Sequence, residues 1–158
     1  MVKTNSKVSI STKITLYASL LSILVLFLTP IFFIDMLSNG LKTVWGFTAI
    51  LGLQTDYDFN WYIYIACLIL LIISVTTYYI GPKARGYYIF SAIVYVVLAV
   101  VIFNSRAWFI NGSMHFENTA VATNGAHLGV GPWFSGIATC VCAIACFRTN
   151  IISCNTDD

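Results

Sequence analysis

Four long apolar runs, none with a charge in its interior, constrain this chain more than any other feature. They read as 14–35, 61–80, 87–103 and 129–147. Each is close to the ~17–25 residues that a helix needs to cross ~30 Å of hydrocarbon. Lipid offers no hydrogen bonds to bare backbone, so such runs have to be helices. The fold class expected is therefore an all-α membrane protein: a four-transmembrane-helix bundle with a small extracytoplasmic cap formed by two loops. Composition agrees. Of 158 residues, 59% are hydrophobic and only 9% charged, against roughly 25% charged in ordinary soluble domains. The whole chain, 1–158, reads as a single polytopic domain, integral to a plasma or cytoplasmic membrane.

The cations set an orientation. Lys3, Lys7 and Lys13 precede the first run, Lys83 and Arg85 separate the second from the third, and Arg148 follows the fourth. Only Lys42 and Arg106 fall in the two other loops. The positive-inside rule then puts both termini in the cytoplasm. The first run is longer than the ~7–15 residues of a signal-peptide core and has no small-residue cleavage site after it, so it reads as a retained anchor. A net charge of +2, confined to loops, gives no basis for a nucleic-acid partner.

Gly81-Pro82-Lys83-Ala84-Arg85-Gly86 joins the second and third runs so tightly that they must be antiparallel neighbours. Asn111-Gly112, set between apolar and aromatic residues, predicts a β-hairpin in the second outer loop. The first outer loop, Leu41–Leu53, is greasy enough either to join that hairpin as a small sheet or to lie as an interfacial helix. Trp45, Tyr57, Phe59, Trp61, Tyr62, Trp108 and Trp133 at one level, and Tyr78, Tyr79, Tyr87 and Tyr88 at the other, form the aromatic belts expected at headgroup depth.

Two runs carry unusual chemistry. In the first, Thr15, Ser19, Ser22 and Thr29 fall at i, i+4, i+7 and i+14 and share one helical face. In the fourth, Gly129, Ser135, Gly136, Thr139 and Ala143 make the wall of small residues that lets helices approach closely in lipid. Pro30 is expected to bend the outer end of the first helix. Cys140, Cys142 and Cys146 do not converge as a zinc site does, since only the last two are helical neighbours. Cys146, close to Arg148 near the inner interface, is a candidate for lipidation. On the outer side, His115, Glu117 and His127 are the candidate ligands for a transition metal. Asp35 adjoins the first apolar run, where it can reach the outer interface. Asn111-Gly112-Ser113 also matches a glycosylation acceptor. No phosphate-binding loop, zinc-protease pair or nucleophile elbow occurs, and nothing argues for an enzyme.

Four spans, inner termini, a larger outer face and Trp45-Gly46 after the first span together resemble the claudin and peripheral-myelin tetraspan layout. The likeness is one of layout: that family's first-loop cysteine pair has no counterpart here, nor does the tetraspanin Cys-Cys-Gly. The function expected is that of a non-catalytic membrane interaction protein, an accessory or structural subunit partnered by the bilayer and by other membrane subunits or further copies of itself. The alternative is a small-molecule or metal binding or permeation unit that uses outer acidic and histidine residues. An enzyme subunit completed by a partner is a third reading.

Overall fold

The structure, a computed structural model, describes residues 2–36, 40–53, 61–84, 86–107 and 126–154. In chain order the elements are α1 (Val2–Leu28), β1 (Pro30–Met36), β2 (Gly40–Trp45), α2 (Gly46–Leu51), α3 (Trp61–Ile80), α4 (Gly86–Phe103), β3 (Ala126–Leu128) and α5 (Val130–Cys154). Four helical segments are long and apolar enough to cross a membrane: Ile10–Leu28, Trp61–Ile80, Gly86–Phe103 and Val130–Ile152. The protein is mostly helical, with the makeup of a membrane protein.

Each spanning helix buries one stripe in steps of three and four residues. The stripe is Thr12, Thr15, Ser19, Ser22 and Leu26 on α1, and Ile63, Cys67, Leu70, Ser74 and Thr77 on α3. It continues as Tyr88, Ser91, Tyr95, Leu98 and Ile102 on α4, and as Ser135, Thr139, Cys142, Cys146 and Thr149 on α5. A 3.5-residue repeat keeps one seam facing the neighbours, which is how bundles pack. Helix α5 packs along both α1 and α4, while α3 closes the ring against α1 and α4. The outward faces carry Ile, Leu, Val, Phe and Tyr, as a lipid-facing surface requires.

The first apolar run divides differently from the expectation. Helix α1 stops at Leu28, and Pro30 opens a strand rather than bending a helix. Three features favour this. Proline restricts the residue before it to extended backbone. Pro30 also lacks the N–H that a continuing helix needs, and Ile31-Phe32-Phe33-Ile34 is rich in the β-branched and aromatic types that suit a strand. Asp35 therefore lies on β1, with Leu41 as its register partner, and not at a helix end.

Residues 41–53 form both a strand and a helix, the strand pairing with β1; the hairpin at Asn111-Gly112 that this segment was expected to join lies outside the described residues. The strand is β2 and the helix is the short α2, which ends on Gly52 in the left-handed conformation (φ 62°) that glycine adopts without strain. The sheet order is β2-β1-β3, both pairs antiparallel, with a register shift between Pro30 and Phe32.

The sheet and α2 are fused to the bundle. Leu26, Ile31, Phe32, Val44, Ala49, Ile50, Ile63, Cys67 and Ile102 form one core that crosses the boundary between them. The Gly46 amide donates to the Thr29 carbonyl (3.0 Å) and the Gly129 amide to the Ile31 carbonyl (2.6 Å). Both positions need glycine. A Cβ at Gly46 would fall on the Leu26 carbonyl, and one at Gly129 on the Pro30 carbonyl.

Candidate functional site: the buried hydroxyl seam

The densest polar chemistry among the described residues lies inside the bundle, where α1 meets α5. Ser22 Oγ lies 2.6 Å from Ser135 Oγ and 3.0 Å from Thr139 Oγ1, and it donates to the Ser135 carbonyl at 3.1 Å. One turn towards the N-terminus, Ser19 Oγ shares hydrogen bonds with Tyr95 Oη of α4 (3.2 Å) and Cys142 Sγ (3.4 Å). Cys142 Sγ also donates to the Thr15 carbonyl at 3.4 Å. Thr15 Oγ1 and Cys146 Sγ follow at 4.0 Å. The last rung is Thr149 Oγ1 donating to Ser11 Oγ (2.6 Å), while Ser11 donates to the Ala145 carbonyl (3.2 Å).

These rungs pair residues 11, 15, 19 and 22 with 149, 146, 142 and 139, so the two helices run antiparallel. The local reason is simple. Small hydroxyls allow the close approach, and each can also bond its own helix four residues back, as Ser19 does to the Thr15 carbonyl (2.8 Å) and Thr139 to the Ser135 carbonyl (2.8 Å). No buried residue among those described is an acid, a lysine, an arginine or a histidine. The seam is polar and uncharged. It can orient and hold helices; it has no group suited to exchange protons at neutral pH.

A second, smaller polar contact ties α3 to α4. Thr77 Oγ1 donates to Ser91 Oγ (2.8 Å), and Tyr87 Oη donates to Thr76 Oγ1 (2.6 Å). The Tyr88 and Ser105 hydroxyls are buried with no hydrogen-bond partner among the described residues.

The structure places the sequence candidates as follows. Thr15, Ser19 and Ser22 meet Ser135, Thr139 and two cysteines across one interface. Thr29 lies just past α1, where its hydroxyl bonds the Val25 carbonyl (2.7 Å), its own carbonyl receives Gly46, and its Oγ1 packs on Gly131 at the start of α5. Gly129 packs on the start of β1, Gly136 faces the Phe103 ring, and Ala143 is buried. Cys146 is buried, 1% exposed, and its sulfur faces Thr15 Oγ1. Of the metal candidates, His127 is on β3, opposite Phe33 in register, while His115 and Glu117 lie outside the described residues. No group of three potential ligands that could hold a metal occurs among the described residues.

Residues 135, 139, 142, 146 and 149 step by four and three, the same repeat as the α1 seam. That phase, rather than the abundance of small residues, is the signal in the sequence that marks the partner of α1. Ser11 and Thr149 lie outside the apolar runs 14–35 and 129–147, so a helical count along those runs does not reach them, and Tyr95 belongs to a different run, 87–103.

No protein-family model, curated protein or solved structure matches this chain.

Proposed function

We propose that the protein is a non-catalytic accessory or structural subunit of a membrane assembly, working as a rigid scaffold that presents its surfaces to other subunits. One observation carries this reading: among the described residues the bundle interior is joined by uncharged hydroxyl and thiol groups, and a second, apolar core ties the helices to the sheet and α2. Coupled transport and acid–base catalysis rely on ionisable groups placed at a cavity. An interior without such groups among the described residues leaves the outside to carry the work. The cap is suited to that, because its core is shared with the bundle and Trp45, Phe47, Leu53 and Trp61 stand exposed at its level. The positive-inside pattern supports cytoplasmic termini and an outward-facing cap.

The test is the native mass of the protein extracted gently from its own membrane, with co-purifying chains identified. A stoichiometric complex with other subunits supports the reading; a lone monomer contradicts it.

One observation favours the alternative of an outer metal or small-ligand site. The β1–β3 register pairs His127 with Phe33, two residues along the strand from Asp35, so the backbone brings an imidazole and a carboxylate residue to neighbouring positions. Titration with Zn2+ or Cu2+ followed by His127→Ala would show it: binding that the substitution abolishes supports the alternative, and no binding removes it.

A further inference from the structure

Between α4 and α5, on the outside of the bundle, lies an apolar groove of about 430 Å³. Ala92 and Ala143 form its floor, and Ile93, Val97, Ile144 and Phe147 form its walls. The groove exists because small residues on the floor sit between large exposed neighbours. Its volume falls in the ~300–1,000 Å³ range of small-molecule sites. It is short, however. Ala92 to Val97 spans about 8 Å of helix at 1.5 Å per residue, whereas a docked transmembrane helix needs a seam several turns long. A flexible hydrocarbon chain suits the space better than a helix does.

The groove leads to a cation. Arg148 lies four residues beyond Ile144 and so stands one turn further along the same face of α5. It is exposed, near the end of the apolar segment Val130–Ile152, and no ion-pair partner stands near it among the described residues. On the antiparallel helix α4 the equivalent step from Ile93 reaches Ile89, in the first turn after Gly86. Lys83, also exposed, stands in the turn leading into that helix. A lipid-facing arginine at this depth extends its guanidinium to the headgroup layer. There the planar fork matches a phosphate.

We infer that this groove binds one anionic glycerophospholipid, its acyl chains against Ala92 and Ala143 and its phosphate on Arg148. The site is independent of the accessory role: it concerns the flank of the bundle, and it stands whether or not other subunits are present.

The experiment is native mass spectrometry of the full chain reconstituted with equal amounts of dioleoylphosphatidylglycerol and dioleoylphosphatidylcholine, counting retained lipids. The wild type is expected to keep one phosphatidylglycerol in preference to phosphatidylcholine by about fivefold or more, the effect of one cation near the bilayer surface. Arg148→Gln should bring the two lipids to near parity. Val97→Trp, which fills the groove from the lipid side, should lose both while helix content and monomer mass stay unchanged. Lys13→Gln, an exposed cation on α1 at the same end, should leave the preference intact. Equal retention by the wild type, a preference that survives Arg148→Gln, lipid retained by Val97→Trp, or the same loss from Lys13→Gln would each overturn the site. So would a bound polypeptide in place of lipid.

Discussion

The α1–α5 interface and the α3–α4 hairpin join antiparallel helices in the same bundle, yet they are held in different ways. Helices α3 and α4 are tied by a tight turn, in which the Lys83 and Ala84 amides both donate to the Ile80 carbonyl at 2.9 Å. Their polar contact is light, chiefly Thr77 to Ser91 and Tyr87 to Thr76. Helices α1 and α5 come from opposite ends of the chain, with partners 113 to 138 residues apart, and they carry a hydroxyl or thiol at nearly every rung. Lipid tails are as apolar as the helices, so no hydrophobic effect drives their association. Neighbours in sequence meet because the turn leaves them no alternative. Helices distant in sequence need an interface that recognises itself, and the polar seam supplies one.

The sharpest way to break this contrast is to remove a hydroxyl from each interface. Ser22→Leu removes bonds to Ser135 and Thr139 and overfills a close approach, so it should lower stability by about 3 kcal/mol. Thr77→Val in the hairpin keeps the shape but loses the contact to Ser91 and the bond to its own helix at the Ile73 carbonyl, and should cost about 1 kcal/mol. Reversible unfolding in mixed micelles measures both; equal losses would erase the distinction.

Gly136→Leu comes next. A Cβ there would stand 2.5 Å from the Phe103 ring, but a ring at the end of a side chain can shift, so a loss of about 1–2 kcal/mol is expected by the same assay. Gly86, with nothing within 4 Å of a built Cβ, should accept alanine with little change.

A double-mutant cycle on Ser22→Ala and Ser135→Ala isolates the seam from general packing. The coupling expected is about 1 kcal/mol, within the range measured for hydrogen bonds between helices in lipid. For Thr77→Ala with Ser91→Ala about half of that is expected. Coupling near zero at Ser22–Ser135 would mean that the short Oγ–Oγ distance contributes no specificity.

The smallest effect belongs to the turn. Doubling the length of the 81–86 connection with glycine and serine after Ala84 should cost about 0.6 kcal/mol, because loop-closure entropy grows slowly with length. A larger loss would show that the turn geometry itself, rather than the tether, holds α3 to α4.

Much of this contrast was legible before any coordinates. Hydropathy alone locates four helices, and Thr15, Ser19 and Ser22 announce a common face through their spacing. What hydropathy cannot do is separate a helix from a strand inside one apolar run. Residues 30–35 were absorbed into the first span for that reason, although Pro30 and the β-branched and aromatic residues after it were the signal. Thr29 lies one residue past the end of α1 and still packs against α5, its Oγ1 facing Gly131. The partner of the seam was hidden for another reason. In α5 the residues of the 135–149 stripe alternate with alanines and glycine, so size masked phase. Residues 41–53 read as either strand or helix, and the chain forms β2 and then α2 there.

The central claim is that the polar seam is spent inside one chain, joining its first and last helices. Placing cysteines at Ser22 and Ser135, with the native cysteines replaced by serine, tests it directly, since the two Oγ atoms lie 2.6 Å apart. Oxidation in native membranes containing two differently tagged copies should give an intramolecular crosslink at monomer mass. A crosslink between the tagged copies, or none at all, would contradict the account.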